Sequence, residues 1–222
     1  MISDPHKTVY IEIDKKRVLV WLYGDPKKPV IFFIHGYLRG YSDYIGDLPI
    51  RHLMNNYYLV AFDLPGFGKS KDITMNRLKF LEVIQDKILK NKKINIFGIS
   101  YGGLIALKYS YKNKKKVNKI ILAGMPYFSG IFKIFNIYLI VKHKSLYEEF
   151  KFLNREKLEK IKSPVLLYYN RADLIANIFM GKRIQEFLPN SKLLIYKNQN
   201  HKWLLHGIDK LGLASEIRKF LK

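Results

Sequence analysis

Apolar positions along the chain follow two spacings in turn. Near the N-terminus Val9, Ile11 and Ile13 alternate with polar residues, and after Asp14-Lys15-Lys16 comes the run Val18-Leu-Val-Trp-Leu-Tyr23. This pair reads as an antiparallel hairpin, because successive residues of a strand point to opposite faces. Short continuous apolar runs follow at 30–34, 58–62, 94–97, 119–123, 165–169 and 193–196. Runs of this kind suit strands buried on both faces of a parallel sheet. Segments of helical period separate most of them. Met75, Leu78, Leu81, Ile84 and Ile88 form one stripe, with Arg77, Lys79, Glu82 and Asp86 off it, and Thr74 is the expected cap. A last helix is expected over about 207–222. The expected fold is α/β: an eight-stranded, mostly parallel sheet with helices on both faces.

The 222 residues suit a single domain, 1–222. One connection exceeds a simple crossover, since about 40 residues separate the runs ending at Ala123 and starting at Val165. The segment at about 125–163 is therefore read as an inserted lid. Phe128, Ile131, Phe132 and Phe135 recur there at helical spacing. Such a stripe serves core packing or the lining of an acyl pocket, and Phe128 and Phe132 are the pocket candidates. Glu148, Glu149, Glu156 and Glu159 stand among Lys151, Lys157 and Lys160 and read as a solvated helix face.

Composition removes several classes of function. Cysteine is absent, so disulfides, thiolate nucleophiles and Cys-ligated zinc are excluded. The net charge is +22, from 40 Lys and Arg against 18 Asp and Glu. The lysines are spread along the chain, far outnumber the arginines, and do not interleave with aromatics at a regular spacing. A solvated basic surface is the expectation, with weak contact to anionic membrane surfaces and no nucleic-acid partner. The N-terminus shows no basic region followed by an apolar one, and Gly124, Pro126, Gly130, Lys133 and Asn136 break the most apolar stretch. A cytoplasmic, soluble protein is expected. Gly66-Phe-Gly68-Lys69-Ser70 ends like a phosphate-binding loop, but Asp63 stands where that pattern needs its first Gly. A structural turn is expected instead. No metal or other cofactor is implied.

The chemistry concentrates at Gly98-Ile99-Ser100-Tyr101-Gly102-Gly103, between a strand and a helical segment. In a Gly-x-Ser-x-Gly elbow the turn is so tight that Cβ atoms at the Gly positions would crowd the backbone, and the serine hydroxyl stands above the sheet. A serine hydroxyl needs a base. His201, just past the last strand, is preferred over His206. The base needs an orienting carboxylate, and Asp173 follows the strand at 165–169. Both loops should return to the sheet edge that carries the elbow. The oxyanion needs two N–H donors. Tyr101, directly after the nucleophile, is one; the other comes from His35-Gly36-Tyr37-Leu38, with Tyr37 preferred and Leu38 the alternative. His35 is read as orienting this loop.

Together His35-Gly36, Asp63-Leu-Pro-Gly66-Phe-Gly68-Lys-Ser70, Gly98-x-Ser100-x-Gly102-Gly103, Asp173 and His201 resemble the α/β-hydrolase superfamily, in its lid-bearing esterase, lipase and peptidase branch. The resemblance implies a Ser-His-Asp hydrolase. The expected function is hydrolysis of small-molecule carboxylic esters of apolar acyl groups, with Ser100, Asp173 and His201 catalytic, Tyr37 and Tyr101 at the oxyanion, and Leu38, Phe128 and Phe132 against the substrate. A monoacylglycerol-type lipase, an aminopeptidase on the same triad and a non-catalytic binding module are the alternatives.

Overall fold

The structure is a computed structural model, and it describes residues 7–37, 40–41, 53–90, 92–128, 144–196 and 213–222. Strands β1 (Lys7–Ile13) and β2 (Lys16–Tyr23) form the expected hairpin. Asp14 and Lys15, both at positive φ, make its two-residue turn. The remaining strands are β3 (Val30–Ile34), β4 (Tyr58–Phe62), β5 (Ile94–Ile99), β6 (Val117–Ala123), β7 (Val165–Asn170) and β8 (Ser191–Tyr196). The helices are α1 (Arg77–Leu89), α2 (Tyr101–Lys112), α3 (Lys144–Phe150), α4 (Arg155–Glu159), α5 (Ile178–Phe187) and α6 (Leu213–Leu221). Eight strands form one sheet in the order β1-β2-β4-β3-β5-β6-β7-β8, antiparallel at its first two pairings and parallel thereafter.

The two-residue period of the strands divides the core between the faces of the sheet. Phe32, Val60, Ile96, Leu122 and Leu167 face α1, α2 and α5. Ile31, Phe33, Ala61, Phe97, Ile121 and Leu166 face α6, through Leu213, Ala214 and Ile217. This explains why the central runs are apolar throughout: both faces are covered, so no strand position is left for a polar side chain to meet water. Asn95 is one exception, and its amide donates to the Val30 carbonyl at 3.0 Å.

Helix α1 begins later than its apolar stripe suggests. Asn76, rather than Thr74, caps it; the Asn76 side chain accepts from the amides of Leu78 and Lys79 at 3.0 and 3.4 Å. Met75 therefore precedes the helix. The cap must stand directly before the first helical residue, and only there does its oxygen reach the free amides of the first turn. Asn76→Ala is expected to cost about 1 kcal/mol in urea unfolding, and Thr74→Ala less than half of that. The last helix is described from Leu213, and residues 207–212 of the expected span lie outside the described residues. The β6–β7 connection contains α3 and α4, while residues 129–143 of it lie outside the described residues. No helix among the described residues is long and apolar enough to cross a membrane.

Candidate active site

Parallel pairing aligns the C-terminal ends of β3, β5, β6, β7 and β8 along one edge of the sheet. Ile34 is level with Gly98, Ile99 with Ala123, and Asn170 with Tyr196. These strand ends form a common rim, where open α/β sheets place their ligands. Hydrogen bonds carry the alignment past the strands: Ser100 N–H donates to the Ala123 carbonyl at 2.8 Å, and Arg171 N–H to the Tyr196 carbonyl at 2.9 Å.

Ser100 sits between β5 and α2 at φ 50°, ψ −115°. A positive φ of this kind at a non-Gly residue costs on the order of 1–3 kcal/mol and persists only where the surroundings enforce it. The flanking glycines show what enforces it. A Cβ at Gly98 would lie 2.5 Å from the Gly102 carbonyl oxygen, and one at Gly102 would lie 2.2 Å from the Ile34 carbonyl oxygen. Helix α2 is thus seated directly on β5 and β3, and the chain reverses into it within one residue. The Ser100 side chain does not cap the helix it precedes. Its hydroxyl is half-buried at the rim, beside the first turn of α2, whose dipole favours developing negative charge.

The loop after β3 runs alongside. A methyl group at Gly36 would lie 3.5 Å from Ser100 Cβ, so the Gly36 backbone borders Ser100. His35 is wholly buried, and its Nε2 accepts from Leu64 N–H at 2.9 Å. The proton is therefore on Nδ1, which donates to the Gly36 carbonyl at 2.7 Å. His35 ties the β3 loop to the β4 loop, the orienting part expected of it. Tyr37 is half-buried, and its ring meets Tyr101 and Phe67 edge-on at 5.6 Å each.

Asp173 lies past β7, two strands along the sheet from the elbow. It is fully buried, and its Oδ1 accepts from Ile175 N–H at 2.9 Å and Ala176 N–H at 2.8 Å. These bonds fix the carboxylate's orientation within its own turn. Nearby Tyr169 donates its hydroxyl to the Met125 carbonyl at 2.5 Å, and burial first, then the Asp173 charge, pushes that phenol well above its usual pKa. Phe128 is buried in the core, 4.7 Å from Phe150 of α3 between ring centres. The other candidates, His201 with its alternative His206, Leu38 and Phe132, lie outside the described residues.

Glu149 departs from the expectation of a solvated face. Its carboxylate turns inward from α3 and accepts the Tyr101 hydroxyl at 2.9 Å on each oxygen. Arg77 Nη1 reaches Oε1 at 3.0 Å, and Lys108 Nζ reaches Oε2 at 3.4 Å. Helices α1, α2 and α3 thus meet on one carboxylate. Burial, then the Glu149 charge, raises the Tyr101 phenol, which stays a neutral donor. No pattern local to 148–159 marks Glu149 among its exposed neighbours, because its partners come from distant segments. Glu149→Ala is expected to lower the unfolding free energy by about 2 kcal/mol, as a buried hydroxyl and two cations lose their acceptor; the urea midpoint reports it. Glu156, exposed and paired with Lys160, should leave that midpoint unchanged when replaced.

Gly66-Phe-Gly68-Lys69-Ser70 is a structural turn, as its sequence suggests. Its amides are consumed internally: Gly66 N–H donates to the Ser70 carbonyl at 3.0 Å, Ser70 N–H to Phe67 at 2.8 Å, and Lys69 N–H to Asp63 Oδ2 at 2.7 Å. Amides so engaged do not form an anion cradle.

Comparison with known proteins agrees with this geometry. The family model described as alpha/beta hydrolase fold matches residues 29–139. The uncharacterized hydrolase YugF of Bacillus subtilis (strain 168) is 25% identical over 247 residues, covering 85% of this chain and 89% of YugF. The probable lysophospholipase BODYGUARD 4 of Arabidopsis thaliana is 32% identical over 111 residues, covering 47% of this chain but only 26% of the plant protein. Among solved structures, naproxen esterase from Bacillus subtilis superposes with a TM-score of 0.77 at 16% identity, over 97% of this chain and 91% of its own. At that identity the likeness is one of fold.

Proposed function

Because the chain belongs to the α/β-hydrolase fold family, we propose that it is a serine hydrolase that cleaves carboxylic esters of apolar acyl groups. The observation that carries the reading is the strained Ser100 on a glycine-flanked elbow, at the sheet edge that also bears buried Asp173. Ser100 Oγ attacks the ester carbonyl carbon while His201 removes its proton. Asp173 holds the imidazole in the tautomer that can accept this proton, and stabilises the imidazolium formed. The tetrahedral oxyanion is met by the N–H groups of Tyr101 and Tyr37. His201 then protonates the leaving alcohol, the C–O bond to it breaks, and an acyl-Ser100 ester remains. Water, deprotonated by His201, attacks this ester, and the acid leaves as Ser100 regains its proton.

Two features bear on substrate class. Glu149 is occupied by Arg77, Lys108 and Tyr101, which speaks against its anchoring a substrate amine and favours ester over aminopeptidase activity. Leu174 and Phe179, 87% and 61% exposed, flank the Asp173 turn, and an apolar rim suits amphiphilic esters and weak contact with an anionic membrane surface. The lysophospholipase and esterase names among the relatives lie in the same direction.

Fluorophosphonate labelling tests the central step, since it requires an activated hydroxyl. Mass-spectrometric mapping should place the adduct on Ser100. A panel of p-nitrophenyl esters should be cleaved with kcat/KM rising with acyl length, and well above aminoacyl amides. A folded protein that takes no label and cleaves no ester would be a non-catalytic module of this fold.

A further inference from the structure

A cavity of about 770 Å³ lies between α1, α2 and the connection helices α3 and α4, with Glu149 in its wall. Neither Ser100, Asp173, Tyr37 nor Phe128 lines it. Its volume is in the range of small-molecule sites. Its wall is divided chemically. Arg77, Lys108, Lys112 and Lys157 bring four cations to it, and Glu149 is the one carboxylate among its lining residues. Glu149 is already shared between Arg77 and Lys108, and four cations against this one carboxylate leave about three net positive charges on the wall. Arg77 uses Nη1 on Glu149, while its Nε is buried with no hydrogen-bond partner among the described residues. The Arg77 side chain is 29% exposed, and the outer guanidinium N–H groups, rather than the buried Nε, are the ones a second oxygen acceptor in the cavity can reach. Lys157 lies over the Phe152 ring, its Nζ 5.2 Å from the ring centre. Leu78, Ile105 and Phe152 supply an apolar side to the same space.

We propose that this cavity is a second ligand site, which binds a small organic anion. The carboxylate or phosphate head meets Arg77, Lys108, Lys112 and Lys157, and an alkyl or aryl tail lies against Leu78, Ile105 and Phe152. A like-charged cluster in a partly enclosed space is self-repelling, and an anion removes that repulsion while satisfying donors that the protein leaves unfilled. The apolar side excludes a bare inorganic ion as the best occupant, since it would leave that surface facing water. The site does not depend on the hydrolytic reading, because it contains none of the groups assigned to it.

Isothermal titration at fixed ionic strength tests it, with octanoate, octyl phosphate, inorganic phosphate and octyl glucoside as probes. Octanoate or octyl phosphate should bind at one saturable site, the tighter of the two identifying the head group. Octyl glucoside should not bind, and inorganic phosphate should bind at least tenfold more weakly than octyl phosphate. The double variant Lys112→Met/Lys157→Met removes two cations without touching Glu149, and should weaken the better probe roughly tenfold or more. Lys182→Met/Lys192→Met, which removes two cations elsewhere, should leave the affinity unchanged. Octanoate and octyl phosphate binding that is insensitive to the first pair, or equally sensitive to both pairs, would overturn the proposal, the ligand then sitting at the elbow or on the general basic surface. Inorganic phosphate matching octyl phosphate would overturn it as well. The melting temperature of each variant distinguishes lost binding from lost fold.

Discussion

Ser100→Ala is expected to lower kcat for p-nitrophenyl ester hydrolysis by roughly 10⁴–10⁶-fold, with the unfolding free energy within about 0.5 kcal/mol of the parent. The two halves of this expectation have separate causes. In the proposed mechanism Ser100 supplies the covalent path, and alanine removes the oxygen that would carry the acyl group. The hydroxyl does not cap α2, so its removal deprives the helix of no bond. Alanine meets the same unfavourable φ as serine, so the backbone strain is unchanged. Ser100→Gly sharpens the point: glycine adopts φ 50° freely, and this variant should be about 1 kcal/mol more stable than the parent while equally inactive. A site that is strained for chemistry gains stability when the chemistry is removed. A Ser100→Ala protein that retains the parent rate would refute the assignment of the nucleophile, whatever its stability.

Gly102→Ala should destabilise the fold by about 3–5 kcal/mol and abolish ester hydrolysis. The added Cβ would lie 2.2 Å from the Ile34 carbonyl oxygen and 2.6 Å from that of His35. Both are backbone atoms at the end of a central strand, and neither can swing aside as a side-chain tip would. Relief requires α2 to lift from β3, which moves Ser100 and the Tyr101 amide together. Gly103→Ala is the control one residue on. Its Cβ would meet Met125 Cβ and Cγ at 3.1 Å and Sδ at 3.2 Å; Cγ and Sδ can move by a change of rotamer, and the Cβ contact needs a shift of only a few tenths of an ångström. Gly103 lies inside α2, where alanine gains helix propensity of up to about 1 kcal/mol, so the net change should be small. Urea unfolding of the pair separates a steric requirement at the elbow from a general dislike of substitution in this helix. Equal losses at both positions would count against the tight seat of α2 as its cause.

The elbow and the sheet were legible in the sequence for the same reason. Each depends on rules that act over a few residues. Val30–Ile34 reads as a strand because five adjacent apolar side chains suit burial on both faces, and all five are buried. Gly98 announces the elbow because the turn that crowds it is closed by Gly102 four residues on, whereas Gly102 is crowded by the Ile34 and His35 carbonyls at the end of a strand distant in sequence. Asp173 was found from its position after a strand. The N-terminus of α1 was misplaced by two residues, since Thr74 and Asn76 are both competent caps, and the stripe of apolar residues extends through Met75 without saying where helical geometry begins. Glu149 was misread more seriously. Its neighbours in sequence are lysines and glutamates in solvent, whereas its partners, Arg77, Tyr101 and Lys108, are about 40 to 70 residues away.

The order and type of the elements, the positive φ at Ser100 and the strand end that carries Asp173 were therefore readable from amino-acid order, since they follow largely from steric and hydrophobic constraints that act locally along the chain. Which polar side chains share a site emerged only on folding: His35 joins two loops, Glu149 gathers three helices, and four cations line one cavity. Charged and hydrogen-bonding groups act across space, and the distances between them are set by how the helices pack on the sheet rather than by their spacing in the chain.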